Sequence, residues 1–277
     1  ATYSGSSPFL APATLMLIAH VEQSGVWFVR GGMVRLATAL ASLAVRQGAT
    51  VTTGTSVEEI LVKGGRTAGV RLANGEQIPA DAVILNADSR ALDAGLFGPA
   101  VSRAVSAAPP ARRSLSAVTW AMHARTSGFP LCRHNVFFSA DYQAEFEQIL
   151  THRRVPADPT VYVCAQDRES PDAPADGDAE RLLVLVNAPA DGDRRAMPTT
   201  EIETCLTNTL ARLAACGLTV DHRTEATVAT TPAMFAQRYP ATGGALYGTA
   251  MHGPLAAFRR PSAQTRLPGL FLAGGSV

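Results

Sequence analysis

The chain has 277 residues, 47% of them hydrophobic and 17% charged, with a formal net charge of +1. That length holds one large domain or two ordinary ones with ample core, and the near-zero net charge excludes an electrostatic nucleic-acid surface. The cysteines Cys132, Cys164, Cys205 and Cys216 show no CxxC pair and no histidine at metal spacing, so no metal site is expected and they read as reduced core thiols of a cytosolic protein.

In chain order, the apolar run over residues 9–21 is too short for a membrane span and is broken by Pro12 and His20. Residues 8–23 are expected to be helical, with Leu15, Ile18 and Ala19 on one face and Gly25 as a stop. Val26-Trp27-Phe28-Val29 reads as a strand, followed by Arg30-Gly31-Gly32. The spacing then predicts a helix over 33–47: Met33, Leu36, Ala37, Leu40, Leu43 and Ala44 share a face, and Gly48 closes it. Short strands are expected at 49–52 and 56–62. A hairpin follows at 68–72 and 77–79, around Asn74-Gly75. The apolar strand 81–85 ends in Asn86-Ala87-Asp88, where Asp88 is placed to cap the next helix.

From about residue 96 to 239 the character changes. Strands are expected at 114–124, 135–138, 160–165, 182–187 and 226–230. Helices are expected over 142–150 and 200–216, with a helix start at Thr231-Pro232. Residues 169–178, acidic and proline-bearing, read as a solvated loop. Gly243, Gly244 and Gly248 make a loose bend around Leu246-Tyr247. The sequence closes on Pro268-Gly269-Leu270-Phe271-Leu272-Ala273-Gly274-Gly275-Ser276-Val277, a turn, a buried strand and a glycine bend of the kind that brings main chain close to a ligand. Such an end, with a start lacking Met, leads to the expectation of a piece of a larger protein. Internal repeats are absent, as are GxGxxG, the GxxxxGK[ST] phosphate loop, HExxH and GxSxG. On motifs alone the chain is a mixed α/β protein of open function.

The order of segments adds to that reading. Val26 to Met33, a helix, Gly48-Ala-Thr-Val51, Thr55-Ser-Val-Glu-Glu-Ile60, Gly69-Val-Arg-Leu-Ala-Asn-Gly75 and Ala80-Asp-Ala-Val-Ile-Leu-Asn-Ala-Asp88 form one ordered series. It resembles the middle of the bacterial phytoene-desaturase family of FAD-dependent carotenoid desaturases, within the wider amine-oxidase-like flavoproteins. The closing stretch, Leu267 to Ser276, looks like that family's last flavin-contacting strand. Asn135 to Tyr142, Asp158 to Arg168 and Leu185 to Pro189 look most like the branch acting on hydroxy- or methoxyneurosporene.

The resemblance implies an α/β (mixed α+β) fold: an FAD-binding Rossmann-like part with an interleaved mixed-sheet substrate domain, without the N-terminal βαβ unit that bears GxGxxG. It divides the chain into a substrate-domain helix (1–24), a middle segment of the FAD domain (25–95), the substrate domain (96–240) and a return to the FAD domain (241–277). By the same likeness, Val57, Ala87, Gly274, Gly275 and Ser276 are candidate FAD contacts, and Gly243, Gly244 and Tyr247 candidate substrate contacts. Val57 also reads as an ordinary strand valine, and the glycines at 274 and 275 as a plain turn. No acid or base is nominated. The family's chemistry removes a hydride and a proton from adjacent carbons of a polyene, which the flavin carries and the protein aligns. The substrate implied is an apolar carotenoid, with FAD in the full-length parent and not retained here, no activity of this piece alone, no nucleic-acid partner, a cytoplasmic place at the inner or photosynthetic membrane, and dimer formation through apolar surface. Another amine-oxidase-like flavoprotein, or a flavin-free carrier of apolar ligands, remains open at this point.

Overall fold

The computed structural model describes residues 5–106, 113–168, 178–253, 256, 260–275 and 277, apart from the side chain of Thr14. In chain order the elements are α1 (Met16–Gln23), α2 (Met33–Arg46), β1 (Val57–Lys63), β2 (Arg66–Leu72), β3 (Gln77–Pro79), β4 (Val83–Leu85) and α3 (Arg90–Asp93). Then follow β5 (Ser116–Ala124), β6 (Thr126–Gly128), β7 (His134–Phe137), α4 (Tyr142–Leu150), β8 (Val161–Ala165) and β9 (Glu180–Ala188). The chain continues through α5 (Thr199–Ala215), β10 (Leu218–Val220), β11 (Thr227–Thr230), α6 (Pro232–Arg238) and β12 (Leu270–Leu272). Most of the expected loop at 169–178 lies outside the described residues.

The largest sheet is antiparallel, in the order β11-β5-β9-β8-β7. Strand side chains alternate between faces, and here alternation and register agree. Trp120 lies opposite Val184, which lies opposite Val163; Met122 faces Leu182, which faces Ala165. These residues form the main core with Cys205 and Leu213 of α5 and with Leu218, each at most 6% exposed. Burying one such side chain is worth about 1.5–3 kcal/mol, so this face alone outweighs the local propensity of any strand in it. Glycine at 128 is required where β6 meets β10: φ is +89°, and a Cβ would lie 2.1 Å from the Gly217 carbonyl oxygen.

Two smaller sheets lie apart from it. The β1-β2-β3 meander is antiparallel, and its β2-β3 hairpin turns at Asn74-Gly75 with φ +88° at Gly75. Parallel β4 and β12 pair in the register Val83 to Leu270, Ile84 to Phe271 and Leu85 to Leu272. Leu270 and Leu272 pack with Ile60, Leu92 and Val101 in a second core.

Several expectations shift. The first helix begins at Met16, after a single 3-10 turn at Ala13–Leu15, because Pro12 and the turn ahead of it bend the chain. Residues 26–29 and 49–52 carry no ladder. Strands need a hydrogen-bonded neighbour, and among the described residues none pairs with them, which leaves Trp27 82% and Val26 71% exposed. Helix α2 forms where expected yet buries no residue; Leu40 is 58% exposed.

Candidate active site

Parallel strands β4 and β12 run side by side, so their carboxyl ends deliver two loops to one place. Asn86-Ala87-Asp88 leaves β4, and Ala273-Gly274-Gly275 leaves β12. The Ala273 N–H donates to the Leu85 carbonyl at 3.0 Å and holds the loops together. Crevices outside the carboxyl ends of parallel strands are where open α/β sheets bind ligands. Asp88 stands one residue ahead of Ser89, the N-cap of α3, and its Oδ1 accepts from the Arg90 N–H at 2.9 Å.

The opposite wall comes from the segment after α6. The Ser114 N–H donates to the Gly248 carbonyl at 2.8 Å, the Tyr247 N–H to Ser114 Oγ at 3.0 Å, and the Leu246 N–H to the Leu115 carbonyl at 3.0 Å. These bonds staple residues 246–248 to the entry of β5 and fix Tyr247 opposite the glycine loop. Between the walls lies a cavity of about 640 Å³, lined by Ala87, Gly274, Gly275 and Tyr247 together with Leu96, Phe97, Phe235 and Leu246. Asp88 and Arg238 are the charged side chains of its lining among the described residues. Such a wall binds an apolar, planar or extended molecule and offers no dense acid–base cluster.

Four of the residues nominated from sequence therefore meet in one cavity. Val57 does not: it begins β1 opposite Leu72 and lies outside the lining. Gly243 and Gly244 sit behind the wall. At Gly243, φ is +64° and a Cβ would lie 2.0 Å from an Arg113 guanidinium nitrogen; at Gly244, φ is +84° and a Cβ would lie 2.4 Å from the Pro232 carbonyl oxygen. Both are glycine to let the chain pass Arg113 and α6. Arg113, 8% exposed, forks onto the Asp193 carboxylate at 2.7 and 2.6 Å, and its hydrogen bonds hold that carboxyl below the usual carboxylate range. Ser276 lies outside the described residues. Sequence reasoning missed Leu96, Phe97, Phe235 and Leu246, which are ordinary apolar residues with no spacing signal. Gly248, with φ +68°, was visible as a bend but not as lining.

The glycine loop fits close approach by a large ligand. At Gly274, φ is +118° and a Cβ would lie 2.4 Å from Asn86 Oδ1, so the loops meet there without room for a side chain. A Cβ at Gly275, which lines the cavity, meets nothing within 4 Å among the described residues.

The chain belongs to the family described as flavin containing amine oxidoreductase, whose model matches residues 13–277. Within it, the chain is 54% identical to hydroxyneurosporene desaturase of Rubrivivax gelatinosus, over 100% of this chain and 53% of that protein. It is 31% identical to 1-hydroxycarotenoid 3,4-desaturase of a Flavobacterium species, over 100% of this chain and 56% of the relative. The chain thus spans about half the length of the curated relatives it matches. Among solved structures, an oxidoreductase from Methanosarcina mazei superposes with a TM-score of 0.51 at 20% identity, over 89% of this chain and 50% of that one, and shares the fold.

Proposed function

We propose that this chain forms one wall of the active site of an FAD-dependent carotenoid desaturase, one that removes a hydride and a proton from a C–C bond of an acyclic carotenoid such as hydroxy- or methoxyneurosporene. The observation that carries this reading is the β4–β12 crevice, where a glycine loop with open backbone faces an apolar wall fixed by Tyr247. Bound FAD supplies the electron-pair acceptor that an unactivated C–C bond needs.

In this reading the backbone at Ala87, Gly274 and Gly275 lies against the cofactor. Leu96, Phe97, Phe235 and Leu246 take up the polyene and keep water from it, and Tyr247 aligns it. Val57 and Ser276 keep their proposed place at the cofactor, and Gly243 and Gly244 shape the substrate wall from behind. The sequence-based division at residues 24, 95 and 240 is retained as the domain plan. The exposed apolar side of α2 and residues 26–29 are the surfaces that the rest of a protein of the relatives' length covers, or through which two copies meet. FAD is then held by the longer protein and not by this chain alone. No helix among the described residues is long and apolar enough to cross a membrane; the reading places the longer protein in the cytoplasm, against the inner or photosynthetic membrane that holds its substrate.

The test is expression of the full-length protein in cells that accumulate neurosporene and its 1-hydroxy and 1-methoxy derivatives, with pigments separated and their absorbance recorded. Longer-wavelength products from the substituted substrates alone are expected. Conversion of unsubstituted polyenes moves the reading to general phytoene desaturation. No new pigment from a protein that still holds flavin overturns it, in favour of another reaction of the amine-oxidase family.

A further inference from the structure

The segment 241–248 leaves the end of α6 and carries Thr242, Ala245, Leu246 and Tyr247 of the cavity lining. Both of its ends are tied to one residue, Arg113. At the near end the guanidinium donates to the Ala241 carbonyl at 3.2 Å, to the Ala190 carbonyl at 3.2 Å, and to the two oxygens of Asp193 at 2.7 and 2.6 Å. At the far end the backbone of Arg113 stands opposite Thr249 in an antiparallel bridge, next to the bonds that hold Tyr247 and Gly248 on Ser114. The loop that bears Asp193 joins the same segment, since the Gly192 N–H donates to the Gly243 carbonyl at 2.9 Å.

This clamp is costly in itself. Ala241 has φ +68°, in the left-handed region, and alanine has neither glycine's missing Cβ nor an Asn or Asp side chain to ease it. Its two neighbours, Pro240 and Thr242, line the cavity. Arg113 Nε is buried with no hydrogen-bond partner among the described residues, and an unmet buried donor destabilises. The ion pair does not repay these costs, because desolvation of a buried pair offsets most of its attraction. Stability alone therefore does not account for the arrangement. Strain of this kind persists where surrounding contacts over-determine it, and it gathers where geometry serves function.

We propose that Arg113, with Asp193 behind it, is a positioning residue of the reaction: it fixes where the segment 241–248 presents Leu246 and Tyr247 to the substrate, opposite the glycine loop. The proposal rests on the reading of this cavity as the place of reaction. A planar guanidinium can meet a carboxylate with its fork and two carbonyls at the same time, which an ammonium group cannot. Closing the segment at both ends on one buried side chain removes conformations that would let the wall drift. A wall group displaced by a fraction of an ångström loses alignment of the reacting bond, and that loss falls on the rate.

The test is amide hydrogen exchange of the full-length protein, read by mass spectrometry, alongside steady-state kinetics on the substituted neurosporenes. The Asp193 side chain is 36% exposed, so Asp193→Ala opens no hole in the core. It should speed exchange across residues 241–249 about tenfold, as loss of a charge-assisted pair does, and leave the β5 and β9 ladders unchanged. Asp193→Glu, which keeps the carboxylate, should restore most of the protection. Arg113→Lys keeps the charge without the fork and should loosen the same residues. With substrate, Asp193→Ala should lower kcat about tenfold while KM, flavin content and melting temperature hold. Unchanged exchange across 241–249 overturns the proposal. So does exchange that rises equally in β5 and β9, or a KM that rises with kcat unchanged, since the pair then serves the fold or uniform binding. A parent protein that converts no carotenoid overturns the desaturase reading instead; the exchange pattern needs no substrate and judges the clamp separately.

Discussion

The antiparallel sheet and the segment that carries α2 are equally apolar in sequence and opposite in outcome. In the sheet, Trp120, Val163, Val184 and Leu213 are at most 1% exposed, each against a partner the chain itself supplies. Along α2, Met33, Leu36, Leu40 and Leu43 follow helical spacing equally well and none is buried. Periodicity states which face an element needs to cover. It says nothing of what covers it.

The largest test of that contrast is a pair of truncations followed by urea denaturation. Leu213→Ala removes a fully buried side chain of α5 and should cost about 2–5 kcal/mol. Leu40→Ala, at a position 58% exposed, should change stability by less than about 0.5 kcal/mol. Equal costs would mean that α2 is covered in solution, and the contrast would belong to the isolated chain alone.

A second pair acts where the two parallel strands end. Gly274→Ala places a side chain at φ +118° beside Asn86, a backbone strain of about 1–3 kcal/mol. Gly275→Ala meets nothing within 4 Å and should be neutral in stability. In the longer protein, Gly275→Leu fills the crevice, so bound flavin per polypeptide, read from its visible absorbance, should fall while the melting temperature holds. Unchanged flavin content would separate Gly275 from the cofactor.

Legibility follows the same physics. The hairpin at Asn74-Gly75, the helix start at Thr231, and the strands of the large sheet are readable because turn chemistry, caps and alternation are local or are met within the chain. Residues 26–29 and 49–52 have strand-like composition, but a ladder is a property of two segments, and composition reports one. At the site, Ala87, Gly274, Gly275 and Tyr247 were reached through the order of segments. Leu96, Phe97 and Phe235 were not, since an apolar residue in a cavity wall looks like one in a core.

A smaller, pH-dependent difference separates two carboxyl groups beside the large sheet. Beside the large sheet, Glu145 is 1% exposed; its Oε2 accepts from Ser139 Oγ and from the Thr160 hydroxyl and N–H, while Oε1 has no partner among the described residues. Burial pushes its pKa above the usual carboxylate range. The native state then holds this proton after the unfolded chain has released it. Stability therefore falls as pH rises from the ordinary carboxylate value through the native one, at most about 1.4 kcal/mol per pH unit for one proton. Asp158 acts in the opposite sense: Arg212 holds its carboxyl below the usual range, so its contribution is lost as pH falls. Glu145→Gln should remove the falling limb in a series of melting temperatures and leave the acid-side loss. A falling limb that survives the substitution would place its origin elsewhere.

The mildest probe perturbs nothing in the folded state. Cys205 is 5% exposed in the core under α5, and burial pushes its thiol up to about 12, whereas Cys132 and Cys216 are exposed. Iodoacetamide attacks the thiolate. At pH 8, a thiol titrating near 12 presents only about one part in ten thousand as thiolate, and the sheet shields it as well. Mass spectrometry should thus find Cys132 and Cys216 labelled within minutes and Cys205 only as fast as α5 lifts from the sheet. Because that opening exposes the main core, Cys205 labelling reports the stability that Leu213→Ala lowers, and the variant should speed it. Labelling of Cys205 at the rate of the exposed pair would mean that α5 is no better seated than α2, and the two regions would not differ in the way their burial describes.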